Sequence, residues 1–178
     1  MGSGCSGTGR ILPDVSRLAE WKHCPRCGAP IEPADGTFEC SACGLRHYEH
    51  SSVTACALVE RDGRLLLARR AQDPYAGRWD LPGGFVGAGE HPHDALRREL
   101  REETGLEVEP RDFVGVWMDT YADGEPTLNL YWTAVAPSGE PKAADDVSEV
   151  RWFAPDELPG SLAFHVGDVL DAWRQQHA

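Results

Sequence analysis

The chain of 178 residues is long enough for one domain with a small appendage, and a core of that size folds without disulfide support. Its formal net charge of −12 argues against a nucleic-acid partner, which calls for a basic patch, and against an anionic membrane surface. No stretch is apolar and long enough to span a bilayer, and no apolar run follows the first residues as in a signal peptide, so a cytoplasmic protein with no membrane partner is expected.

Met1 to Arg10, MGSGCSGTGR, is rich in Gly and Ser and has nothing to bury; residues 1–21 are expected to form a mobile lead. Within it, Val15, Leu18 and Trp21 suggest a short helix over residues 11–21, capped near Asp14. Residues 22–50 carry Cys24 and Cys27, then Cys40 and Cys43, each pair two residues apart and followed by glycine. Two such knuckles offer four thiolates to a tetrahedral zinc, and in a reducing compartment a metal is a better use of them than a disulfide. A closed four-cysteine site is structural, with Pro33 to Gly36 as a turn and Thr37 to Cys40 as a strand. His23 and His47 are expected at the surface, and Cys56, in an apolar run, is an inert core thiol.

Residues 51–178 form the second expected domain. VTACALVE and RLLLARR flank Arg61-Asp62-Gly63 and predict a β-hairpin. A loop over Ala71 to Arg78 leads into WDLPGGFV, where Gly83 and Gly84 let the backbone approach a bound group closely. Then comes GFVGAGEHPHDALRRELREETGL, Gly84 to Leu106. Pro92 suits a first helical turn and Gly105 the left-handed position just past a helix end. At roughly 100° per residue, Glu102 and Glu103 fall to either side of Glu99, so three carboxylates share one face, while Leu96 and Leu100 face inward. Like charges so placed repel, unless a hard, oxygen-seeking cation such as Mg²⁺ or Mn²⁺ sits among them. The plainer reading is a solvated face, with Arg97, Arg98 and Arg101 as partners.

The whole pattern decides between them: Gly84, five residues, Glu90, seven residues, then Arg98-Glu99-Leu100-Arg101-Glu102-Glu103-Thr104-Gly105-Leu106. It matches every defined position of the signature of the Nudix hydrolases over 23 residues, and the chain resembles that family closely. The resemblance implies an α/β fold, the Nudix α/β/α sandwich with a mixed sheet. It also implies a divalent-metal-dependent pyrophosphohydrolase that cleaves the diphosphate linkage of a nucleoside diphosphate derivative by attack of metal-bound water. By position, Glu99, Glu102, Glu103 and the Gly83 carbonyl would hold Mg²⁺ or Mn²⁺, and Arg98 would brace Glu90. Glu99 occupies the place of the general base in some members, whereas others use an acid from a later loop.

Beyond the helix, Phe113 to Tyr121 and Thr127 to Ala136 predict two strands joined through Ala122 to Glu125. Val147 to Phe153 is a final strand after a polar loop, and residues 164–176 form a helix with Val166, Val169, Leu170 and Trp173 on one stripe. Asp145, Asp146 and Glu149 precede or open the last strand, and Glu149 is preferred among them as a further catalytic acid. Arg69, Arg70 and Arg78 are candidates to clamp phosphate, and Trp117, Tyr121, Trp132 and Phe164 to stack on a base, with the core as the commoner fate of such aromatics. Arg69, Arg78, Trp117 and Tyr121 are taken forward as substrate contacts.

A zinc ribbon ahead of such a domain is similar to the arrangement in NADH pyrophosphatases, although His47-Tyr48-Glu49-His50 departs from their usual pattern after His-Tyr. Nothing like their Ser-Gln-Pro-Trp-Pro-Phe-Pro array follows Leu106, so NADH specificity does not carry across. Tyr121 stands where ADP-ribose hydrolases typically have a proline and where dinucleoside polyphosphate hydrolases have a tyrosine nearby. ADP-ribose, NADH, FAD, dinucleoside polyphosphates and oxidised nucleotides therefore all stay open as small-molecule substrates. Ribbon-bearing relatives are often homodimers. The rival class is a catalytically silent Nudix sensing module whose ribbon docks a partner; the intact glutamate set speaks for the enzyme.

Overall fold

The computed structural model describes residues 17–121 and 124–176. The chain divides into two compact units, residues 1–50 and 51–178.

In the first unit, the expected helix over residues 11–21 falls partly outside the described residues; Leu18–Glu20 form a single 3-10 turn. Ordered structure therefore reaches back into the segment expected to be mobile, because Leu18 is 2% exposed and packs with Ile31, Phe38, Cys24 and Cys40. Glu49 accepts the backbone N–H groups of Arg17 and Leu18. Strands β1 (Thr37–Glu39) and β2 (Arg46–Tyr48) pair antiparallel, with Phe38 opposite His47. Each cysteine pair sits on the same tight turn: Gly28 N–H donates to the Cys24 carbonyl at 2.9 Å, and Gly44 N–H to the Cys40 carbonyl at 2.8 Å. Both glycines have φ near +70°, which residues with a side chain rarely adopt.

The second unit is built on β3 (Ser52–Arg61), β4 (Arg64–Arg70), β5 (Trp79–Asp80), β6 (Gly83–Phe85), α1 (Pro92–Thr104), β7 (Glu109–Thr120), β8 (Pro126–Val135), β9 (Val147–Phe153) and α2 (Val166–Gln176). The seven-stranded sheet runs β5-β4-β3-β8-β7, with β6 added on β3 and β9 on β4. β3 and β8 are parallel and the other pairs antiparallel, so the sheet is mixed. Asp62 and Gly63 turn the first hairpin with φ of 52° and 71°, the two positive values that a tight right-twisted hairpin requires.

Period-two alternation sends neighbouring residues to opposite faces. Ala55, Ala57, Val59, Leu66 and Trp132 pack with Ala95, Leu96 and Leu100 of α1. Cys56, Leu58, Leu65, Leu67 and Tyr131 pack with Val166, Val169 and Leu170 of α2. One helix therefore covers each face, which is the expected α/β/α sandwich. Because β3 is buried on both sides, its sequence reads as a continuous apolar run. Helix α1 spans the expected residues: the His91 ring nitrogen accepts the His93 N–H, and Gly105 closes the helix at φ 69°. Strand β7 begins at Glu109, four residues before the expected Phe113, because Glu109 and Pro110 already lie opposite Val135 and Ala134 of β8.

Candidate active site and zinc-type cluster

The site lies where β6 is pressed between β3 and α1. Gly83 and Gly84 pair with Cys56 and Ala55. A Cβ on Gly83 would stand 2.5 Å from the Cys56 Cα, at a φ of +144°, so glycine is required there. A Cβ on Gly84 would stand 2.5 Å from Glu99 Oε2. The bare backbone is what lets the Glu99 carboxylate lie flat against the loop. Gly84→Ala is expected to displace that carboxylate and, on the expected catalytic role of Glu99, to lower kcat/KM on the order of 10²-fold, the usual consequence of a misplacement of about 1 Å. Its thermal midpoint should stay close to wild type, since the displaced group is a side-chain end; activity equal to wild type would contradict this placement.

Glu103 is 8% exposed and accepts the Gly83 N–H at 3.0 Å. Burial pushes its carboxyl well above the usual range against that hydrogen bond, with Asp146, Glu99 and Asp80 adding like-charge repulsion. Burial also raises Glu99, against the pull of Arg98. These two acids are held where negative charge is costly, as an arrangement awaiting a cation would be.

Arg98 sets the outer wall. Its Nε and Nη2 donate to the two oxygens of Glu90, each at 2.9 Å, Nη1 donates to Glu99 at 2.7 Å and to Glu102 at 3.2 Å, and Nη2 also reaches the Phe85 carbonyl. Glu90, which accepts the Gly87 N–H as well, is held down to about 2, chiefly by Arg98. The Glu90–Arg98 pair thus ties the glycine loop to the helix, as the sequence motif implied.

A cleft of about 160 Å³ opens from this corner, lined by Glu99, Glu103, Gly83, Gly84, Asp145 and Asp146. Its other lining includes Phe85, Tyr121 and Phe164, and the polar side chains Thr54, Asn129 and His165. Thr54 donates to Asn129, whose amide reaches the Trp117 carbonyl and the Thr127 hydroxyl. Arg70 lines the cleft with Nη1 on Asp80 and Nη2 on the Tyr121 hydroxyl, both at 3.2 Å.

The candidates separate clearly. Glu99, Glu103, Gly83 and Tyr121 are brought together around the cleft, and so are Arg70, Phe164, Asp145 and Asp146. Glu102 is half exposed and turned to Arg98. Glu149 is not among the lining residues: it lies directly opposite Arg69 on β4, and the two form an exposed ion pair at 3.5 Å. Of the three later acids, Asp145 and Asp146 line the cleft and Glu149 does not. Arg69 bonds the Gly77 carbonyl, and Arg78 bonds the Leu162 carbonyl and covers the Tyr75 ring; neither lines the cleft. Trp117 lies behind it, stacked on His165 and edge-on to Tyr131, and Trp132 belongs to the core under α1. Asp80, Thr54, Asn129 and His165 gave no sequence signal, because they reach the cleft from separate strands and a turn.

In the first unit, Cys24 and Cys43 Sγ lie 3.7 Å apart and Cys27 and Cys40 Sγ 3.6 Å apart, and the four sulfurs lie within 4.8 Å of one another. The tetrahedron around a zinc with bonds of about 2.3 Å has edges of about 3.8 Å, so the donor set fits the metal. Although burial opposes it, N–H groups of Arg26 and Cys27 and the neighbouring thiols bring Cys24 down to about 7; Cys27, despite the Ala29 N–H, is pushed up to about 12 chiefly by Cys43. The thiols cannot all ionise together without a dication among them. Among the described residues, no other group of three or more such side chains is this tight.

Residues 49–172 match the family described as NUDIX domain. The chain is 36% identical over 120 residues to an ADP-ribose pyrophosphatase of Methanocaldococcus jannaschii, covering 67% of this chain and 70% of that protein. It is 32% identical over 178 residues to an NAD-capped RNA hydrolase NudC of Pseudomonas aeruginosa, covering 92% of this chain and 62% of the relative. The chain thus spans less than two thirds of that relative's length. Among solved structures, a NUDIX hydrolase from Nitrosomonas europaea superposes with a TM-score of 0.75 at 27% identity, over 89% of this chain and 94% of that one. A MutT NUDIX hydrolase from Burkholderia pseudomallei gives 0.65 at 35% identity, over 70% and 98%. The matched segment covers the sheet, α1, the first part of α2 and the Gly83–Glu103 corner, and the chain belongs to the Nudix hydrolase family, its Nudix domain preceded by a four-cysteine cluster of zinc-ribbon type.

Proposed function

We propose that the protein hydrolyses the diphosphate linkage of a nucleoside diphosphate derivative with Mg²⁺ or Mn²⁺. The observation that carries this reading is that Glu103 and Glu99, both largely buried, line the same cleft, which has an aromatic rim. Glu99, Glu103 and the Gly83 carbonyl would hold the metal, with Asp145 and Asp146 beside them. When bound, such a cation lowers the pKa of a coordinated water and neutralises charge on the phosphoryl oxygens.

The chain's own groups have distinct tasks. Arg98 holds Glu99 at 2.7 Å and fixes its direction. Glu99 or an acid of the Asp145-Asp146 pair takes the proton of the attacking water. Tyr121 and Phe164, nearly parallel with ring centroids 6.0 Å apart, offer a face for a base, and Arg70 beneath them holds the Tyr121 hydroxyl. The names of the relatives support ADP-ribose or NAD-type substrates, and FAD and dinucleoside polyphosphates share the same linkage. The clustered free thiols support a cytoplasmic setting.

Release of mononucleotide from ADP-ribose, NADH, FAD, diadenosine polyphosphates and oxidised nucleoside triphosphates, with and without Mg²⁺, is the test. Metal-dependent turnover of at least one diphosphate-linked substrate, lost in Glu99→Gln, is expected. Turnover independent of metal, or binding without turnover throughout, would favour the silent sensing module.

A further inference from the structure

His165 has no place in the chemistry above, yet it is the one buried polar side-chain atom among the described residues that lacks a partner. Its Nδ1 lies 2.9 Å from Asp119 Oδ2, its side chain is 9% exposed, and its Nε2, shielded from solvent, meets no donor or acceptor. Asp119 is itself held by the Thr120 N–H at 2.7 Å. With the ring proton assigned to Nδ1, in the hydrogen bond to the Asp119 carboxylate, Nε2 is left as an acceptor. Trp117 stacks on the imidazole at 4° between planes and Tyr131 meets it edge-on.

A desolvated acceptor with nothing to accept is costly, and native chains leave few of them. This one belongs to a residue lining the cleft, next to Phe164, which adopts φ 43° and so holds a left-handed conformation that a residue with a Cβ pays for in strain. The strained turn delivers two consecutive side chains to one cavity: Phe164, stacked on Tyr121, and His165 with its orienting acid.

We propose that the Asp119–His165 pair is a specificity determinant, in which Nε2 of His165 accepts a hydrogen bond from a donor on the nucleoside of the ligand, either the exocyclic amine of the base or the ribose 2′-hydroxyl. This rests on the reading of the cleft as a nucleotide site, and it makes His165 a recognition residue with no part in proton transfer at phosphorus. A site built around a buried acceptor rejects a ligand lacking the donor more strongly than an apolar wall would, because the acceptor then stays unpaired.

Calorimetric binding of AMP, IMP and 2′-deoxy-AMP to the whole chain tests this without requiring turnover. The wild type is expected to prefer AMP over one of the two analogues by about 10–100-fold, the range of one buried hydrogen bond. IMP as the weak ligand identifies the amine, and 2′-deoxy-AMP the hydroxyl. His165→Asn, whose amide replaces Nδ1 towards Asp119 but leaves nothing at Nε2, should bring the preferred and rejected ligands within about threefold of each other. His165→Phe, which keeps the stacking on Trp117, should do the same and serves if the Asn variant does not fold. Equal weakening of all three ligands, or an unchanged preference in both variants, would overturn the proposal. Selective AMP binding without any diphosphate hydrolysis would leave it standing and overturn the enzymatic reading instead.

Discussion

Glu103→Gln is expected to lower kcat/KM by about 10³-fold while the fold is kept. On the proposed role of Glu103 as a metal ligand, its loss removes several kcal/mol of charge stabilisation at the transferring phosphoryl group, and each 1.36 kcal/mol is about tenfold in rate. Geometry makes this position more severe than its neighbours. Glu103 is buried against β6 and bonded to the Gly83 N–H, whereas Glu102 is half exposed and paired with Arg98. Glu102→Gln should accordingly cost less. The amide can still accept from Gly83, so folding survives, and the sign of the pH effect supports that. Glu103 has a folded-state pKa raised by burial, so its contribution to stability is fully present below the ordinary carboxylate pKa and is lost as pH rises through the raised value. At neutral pH the neutral glutamine relieves that loss, and the thermal midpoint in the absence of metal should hold or rise. Added Mg²⁺ should raise the wild-type midpoint and barely move that of the variant, by linkage. A variant that keeps wild-type turnover, or that gains the same midpoint shift from Mg²⁺, would remove Glu103 from the metal site.

The second large effect is expected in the first unit. A zinc-selective chelator, or Cys40→Ser, should unfold residues 17–50 while leaving the second unit folded. The core of the first unit is small: Leu18, Ile31 and Phe38 pack around Cys24 and Cys40. A core of that size does not stand alone, and structural zinc in such peptides contributes an apparent ~10–16 kcal/mol. The second unit has two clusters of its own, one on each face of the sheet. Backbone amide spectra should therefore lose the dispersed signals of β1 and β2 and keep those of β3 to β9, and metal analysis should find one zinc per chain, absent in Cys40→Ser. Dispersed signals from residues 17–50 in metal-free protein would show that the four thiols hold that unit without an ion.

Much of this was legible in the residues alone because the relevant physics is local. Helix α1 begins at Pro92 and ends before Gly105 since a first-turn proline and a left-handed glycine act through their own backbone angles. The cysteine pairs declare their metal by spacing, since a knuckle is four consecutive residues. The Glu90–Arg98 link and the inward stripe of Leu96 and Leu100 follow from positions along one short segment.

What required the folded chain was every relation across strands. Sequence alone favours Glu149 over Asp146, but the β4–β9 register sets it opposite Arg69. Arg69 and Arg70 are neighbours in sequence, but alternate faces of a strand send one to an exposed ion pair and the other into the cleft. Asp119 and His165 stand 46 residues apart and meet because β7 and the turn before α2 converge at 2.9 Å. Composition, caps and spacings determined the family, the glutamate-rich helix and the cysteine cluster, all short-range properties of the chain. Which acids and which polar groups line the cleft were decided by strand register and layer packing, because side-chain direction in a sheet depends on which partners the strand finds.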